Sequence, residues 1–87
     1  MPATRDFWQL FHKLPREARK AARDSYRQFV SNPAHPGLKL ERLRASPKLW
    51  GVRVSQCYRA VAMRRPDMSF EWIWIGTHHQ FNTKFPF

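Results

Sequence analysis

The run from Phe70 to Gly76 constrains the fold more than any other part of the chain. Phe70, Trp72 and Trp74 fall on one parity of an extended strand and Ile73 and Ile75 on the other. A strand that is apolar on both faces belongs in the middle of a sheet. Two partners for it precede it. Trp50, Val52 and Val54 alternate with Gly51, Arg53 and Ser55, a period of two that predicts a half-buried strand. Gln56-Cys57 then makes a tight turn, Tyr58 to Arg64 forms the return strand, and Arg65-Pro66-Asp67 turns the chain into the last strand. These strands bring Arg59 and, beyond Gly76, His78 beside a hydrophobic sheet. The pairing suits a phosphate backbone.

Ahead of the strands the apolar period changes. Thr4 is placed to cap a helix whose Phe7, Leu10, Phe11 and Leu14 follow helical spacing, with Trp8 at the edge of the stripe. Pro15 suits the first turn of a second helix, where its missing N–H costs nothing, and Glu17 lies near the positive helix start. Ala18, Ala21, Ala22, Tyr26, Phe29 and Val30 form the apolar stripe of that helix. Arg16, Arg19, Lys20, Arg23 and Arg27 lie mostly off it, and Asn32-Pro33 stops it. Asn32 to Gly37 is a loop with two prolines and a glycine; Leu38 to Leu43 reads as a short strand, broken at Ala45-Ser46-Pro47. The expected architecture is α+β: two N-terminal helices packed on a small antiparallel sheet of three to four strands, as one domain over residues 1–87. Phe70, Trp72 and Trp74 are expected to form the sheet face under the helices.

The chain has 87 residues, 43% of them hydrophobic, enough for one modest core and too many for a disordered basic tail. Lys and Arg total 16 against 6 Asp and Glu, a net charge of +10. Such a field favours nucleic acid, an anionic membrane surface or an acidic protein. The basic residues are spread along the chain and not gathered in one block, which favours nucleic acid over a membrane surface. No apolar run approaches the roughly 20 residues of a membrane span. Cys57 is the single cysteine, and no charged segment followed by an apolar one opens the chain. Both features point to a reducing cytoplasm. The histidines and Cys57 lack metal-ligand spacing, so neither a metal nor another cofactor is expected.

Taken in order, Phe7 to Leu14, Pro15, Asn32-Pro33, His35-Pro36, Leu49-Trp50-Gly51-Val52-Arg53-Val54, Tyr58-Arg59-Ala60-Val61 and Trp74-Ile75-Gly76-Thr77-His78 resemble the RelE/ParE superfamily of bacterial toxins. The likeness runs from about Phe7 to Phe81. It implies helices packed on one face of a small antiparallel sheet and a cognate antitoxin, expected to be acidic, that wraps and silences the toxin. RelE-like members cleave messenger RNA in the ribosomal decoding site; ParE-like members poison DNA gyrase without nuclease activity. A shared fold does not choose between them.

Cleaving RNA through its own 2′-hydroxyl needs a proton acceptor, a proton donor for the 5′-oxygen, and positive charge at the phosphorus. By resemblance, Arg59 matches the strand arginine that contacts the scissile phosphate, and its planar fork suits that anion. Arg53 matches a basic position on the neighbouring strand. If Ser55, Gln56 and Cys57 form a three-residue loop, Arg53 lies opposite Arg59; a two-residue loop breaks that pairing. His78 matches the basic or histidine position after the last strand and is the expected general acid. His79 points away from it if the chain stays extended, leaving a substrate contact. Glu41 is the only carboxylate of the early strand, a candidate base that reads more readily as a solvated charge. Where many relatives carry tyrosine and aspartate, this chain has Phe81-Asn82; Phe81 is expected to stack on a base and has no hydroxyl for proton transfer. The preferred reading is a metal-independent, ribosome-dependent endoribonuclease. The rivals are a gyrase poison and a non-enzymatic basic RNA-binding module.

Overall fold

The computed structural model describes residues 2–44 and 46–85. Ala45, part of the expected break, lies outside them. Helix α1 spans Arg5–His12, and the Thr4 hydroxyl caps it by accepting the Phe7 N–H at 3.2 Å. Asp6 in its first turn and His12 in its last both complement the helix dipole. Helix α2 spans Arg16–Ser31, with Pro15 at the N-cap and not inside the first turn. Ala18, Ala22 and Phe29 are its buried residues, and the small alanines let the helix sit close to its neighbours. Val30, expected in the stripe, is 62% exposed.

The segment read as one strand over Leu38 to Leu43 is mostly a turn. Pro36–Leu38 form a 3-10 helix, Lys39 follows with φ 45°, and only Glu41–Arg42 pair as strand β1. Proline and glycine at its start favour the turn, and Leu38 is fully buried from there. Strand β2 spans Leu49–Arg53, β3 Tyr58–Arg64 and β4 Phe70–Thr77, giving one antiparallel sheet in the order β1-β2-β3-β4.

Strand β4 is therefore the last strand of the sheet, not a central one. Residues ahead of α1 run along its outer edge: Thr4 N–H donates to Trp72 O at 2.9 Å and Trp72 N–H to Pro2 O at 3.0 Å. This tie satisfies part of an edge that would otherwise be open to foreign strands. Both faces of β4 are apolar because the sheet is covered on both sides.

The two faces are divided by a β-bulge. Val61 pairs with Trp74 and Ala62 with Trp72, so Ile73 is the extra residue. Its insertion turns Trp72 and Trp74 to opposite faces, contrary to simple alternation. Trp72 and Ile75 join Phe7, Phe11, Ala22, Phe29, Leu38, Val52, Ala60 and Ala62 under α1 and α2. Trp74 joins Leu43, Val61 and Phe81 on the other face. Burying a large apolar side chain contributes roughly 1.5–3 kcal/mol. The first cluster, with two phenylalanines of α1 and one of α2, therefore dominates stability.

Covering the second face is an element absent from the sequence-based expectation, helix α3 over His78–Lys84. Strands thus do not close the chain. Among the described residues no helix is long and apolar enough to cross a membrane.

Candidate functional site

The site is built around the turn from β2 to β3. Val54 and Ser55 N–H both donate to Tyr58 O, at 3.1 and 3.2 Å, closing the loop over Ser55, Gln56 and Cys57. That loop sets the register in which Arg53 pairs with Arg59. Directly opposed residues project from the same face. Arg59 in turn pairs with Gly76 on β4. Both arginines are half-buried on the face that α3 covers, beyond the end of the apolar cluster.

Arg59 does not swing freely. Its Nη1 donates to Ser55 O at 2.6 Å and Tyr58 O at 2.9 Å, and reaches Gln56 O at 3.5 Å. Among the described residues Nε and Nη2 make no hydrogen bond, which leaves the forked edge suited to two oxygens of one phosphate. Burial, and after it the charge of Arg53, pushes the Arg59 guanidinium below its ordinary value, while the charges of Glu41 and Cys57 act in the other direction. An arginine nonetheless stays charged at any physiological pH. Glu41 pairs with Gly51, which pairs with Val61, so the carboxylate shares the face of the two arginines.

His78 enters at the switch from strand to helix. Thr77, the last residue of β4, is the N-cap of α3: its hydroxyl accepts the Gln80 N–H at 3.1 Å, and Gln80 Oε1 accepts the Thr77 N–H at 2.9 Å. This reciprocal pair is a capping box. It makes His78 the first helical residue, and His78 N–H donates to Cys57 O at 2.7 Å. The histidine is thereby fixed to the same turn that holds Arg59.

The structure separates the remaining expected residues from this group. His79 is exposed on α3 beside Leu10, Thr83 and Lys84, because successive helical residues diverge by about 100° and not as strand neighbours do. Phe81 is 2% exposed, packed against Trp74 and Phe85 at ring separations of 6.3 and 5.7 Å. Its ring is core, so it is not available to stack on a base. The extended reading of Thr77 to Phe81 produced that expectation; a helix returns Phe81 onto the sheet.

Thr77 and Gln80 are further residues of the site, and threonine followed three residues later by glutamine is their sequence signal, that of a helix start. The role of the turn carbonyls had no sequence signature. Among the described residues no three His, Cys, Asp or Glu side chains gather closely enough to hold a metal ion.

No protein-family model matches the chain, and no curated protein matches it in sequence. Solved structures do resemble it. The RelB-RelE antitoxin-toxin complex from Methanococcus jannaschii has a chain with a TM-score of 0.72 at 15% identity, over 99% of this chain and 100% of that one. The YoeB/ParE toxin from Agrobacterium tumefaciens gives 0.70 at 18%, over 88% and 95%. The intact E. coli RelBE toxin-antitoxin complex gives 0.66 at 17%, over 86% and 90%. At such identities the likeness is one of fold, and over nearly the whole chain that fold is the RelE/ParE toxin fold.

Proposed function

We propose that this protein is the toxin of a toxin–antitoxin system and that it cleaves translated messenger RNA on the ribosome. One observation carries the reading. Arg53 and Arg59 stand side by side at the sheet end, Arg59 with its forked edge free, and His78 is tied to the same turn. Two of the similar solved structures are complexes with antitoxins, which supports a cognate antitoxin here. A net charge of +10 favours an acidic one.

In this reading the RNA 2′-oxygen attacks phosphorus and the bond to the 5′-oxygen breaks. The products are a 2′,3′-cyclic phosphate and a 5′-hydroxyl. Arg59 holds the non-bridging oxygens through Nε and Nη2, and Arg53 holds the adjoining backbone. His78, as imidazolium, gives its proton to the departing 5′-oxygen. Glu41, on the same face, can take the 2′-hydroxyl proton. His79, on the exposed side of α3, contacts flanking nucleotides. No metal or organic cofactor enters this chemistry. With so few reacting groups, orientation must come from the ribosome, so free RNA is cleaved slowly.

The burial of Phe81, a ring without a hydroxyl, favours the second reading: a gyrase poison with no active site. Induced expression in a tolerant bacterium, wild type beside an Arg59→Ala, His78→Ala double variant, separates the two. Growth arrest with new 5′ ends in abundant transcripts, both lost in the variant, supports the nuclease. Arrest without new ends, persisting in the variant, points to gyrase.

A further inference from the structure

Every backbone carbonyl of the turn Ser55 to Tyr58 is directed at one of the two candidate reacting residues. Those of Ser55, Gln56 and Tyr58 face Arg59 Nη1, and that of Cys57 accepts the His78 N–H. Arg59 is thus fixed through its side chain, whereas among the described residues His78 is held by its backbone N–H and by a tilted contact of its ring with Phe81 on the same helix, 6.5 Å between centroids. The direction of its side chain therefore depends on the first turn of α3, which carries both His78 and the Phe81 ring beside it.

That start is determined from several sides. The Thr77–Gln80 capping box fixes the first turn of α3 with bonds of 3.1 and 2.9 Å. The Gln80 side chain also lies across Gly76: a Cβ there would sit 2.7 Å from Gln80 Oε1 and 2.6 Å from the Trp74 ring. Gly76 is the cross-strand partner of Arg59. The oxygen that caps the helix therefore rests on the strand position beside the phosphate-binding candidate.

We infer that Thr77 and Gln80 are positioning residues, which set the direction of the His78 imidazole relative to the turn that holds Arg59 by locking the first turn of α3. The inference rests on the nuclease reading and deepens it. Neither residue touches the reacting atoms. Both act through His78, and a misplacement of about 1 Å in such a group can cost about 100-fold in rate. A cap that merely stabilised the helix would act on folding and leave the reaction of folded molecules unchanged.

The test is single-turnover cleavage of messenger RNA on programmed ribosomes, with Thr77→Val, Thr77→Ser and Gln80→Glu made in both the wild type and a His78→Ala background. Serine keeps the capping hydroxyl, and glutamate keeps an oxygen for the Thr77 N–H. Thr77→Val is expected to slow the maximal rate about 10- to 100-fold with the half-saturating ribosome concentration unchanged. Thr77→Ser and Gln80→Glu should retain the rate. In the His78→Ala background Thr77→Val should produce no further loss, the non-additivity of residues acting through one another. Should Thr77→Val be too unstable to purify, Gln80→Met breaks the same link.

Equal slowing by Thr77→Val in both backgrounds, or no slowing in either, overturns the inference while leaving the nuclease reading intact. A wild-type rate in His78→Ala alone, or a wild type that cleaves nothing, removes the functional reading and this inference with it.

Discussion

Arg53 and Arg59 oppose each other across two strands, and like charges so placed destabilise a sheet. The fold tolerates the pair by giving Arg59 carbonyl partners on one edge, so an anion bound on the other edge would relieve the repulsion. A different residue-scale balance is found at the opposite end of β3, in the turn to β4. There the Ser69 hydroxyl donates to Asp67 at 2.6 Å and the Ser69 N–H at 3.0 Å. These bonds, the hydroxyl foremost, hold the Asp67 carboxyl below its ordinary value. A depressed folded value means that the turn gains stability above the unfolded carboxylate value and loses it as pH falls through the folded one. An NMR titration should show Asp67 titrating below a free aspartate, and Ser69→Ala should bring it back towards that value. Ordinary titration in the wild type would mean that the turn is not closed by this pair.

Helix α3 is only seven residues long, too short to persist in water without tertiary contacts. Phe81 and Phe85, one helical turn apart, anchor it against Trp74. Phe81→Ala should therefore cost about 3–5 kcal/mol in denaturant unfolding. Unchanged stability with weakened RNA binding would mean instead that the ring leaves the core to meet a base. This helix also marks where reading from sequence fails. Its capping signal was present, yet two aromatic anchors give too little periodicity to oppose the strand-like run before it. The bulge at Ile73 is equally silent, since an inserted residue changes which face Trp74 takes without changing composition. By contrast α1, α2 and β2 were legible: the Thr4 cap, the Asn32-Pro33 stop and the alternation from Trp50 each have a local physical cause. The Arg53–Arg59 pairing was legible only conditionally, through the loop length, and the tie of His78 to Cys57 depended on the unrecognised helix.

At the scale of the molecule the sheet divides labour. One face, under α1 and α2, holds most of the large buried residues, while the other carries a smaller cluster and, at its end, the paired arginines. The field of a +10 chain attracts any nucleic acid, so affinity alone cannot identify the contact surface. Salt dependence can. Each phosphate neutralised on a single strand contributes about 0.7 to the slope of log affinity against log salt. Arg53→Ala with Arg59→Ala, if both hold phosphates, should flatten that slope by about 1.4. The same charge removed from exposed Arg5 and Arg16 should weaken binding through the overall field and leave the slope nearly unchanged. Anisotropy of a labelled 2′-O-methyl RNA, which cannot be cleaved, measured across a salt series would report both without interference from turnover. Equal flattening by the two double variants would mean that RNA is held by diffuse charge and that the arginine pair serves another target.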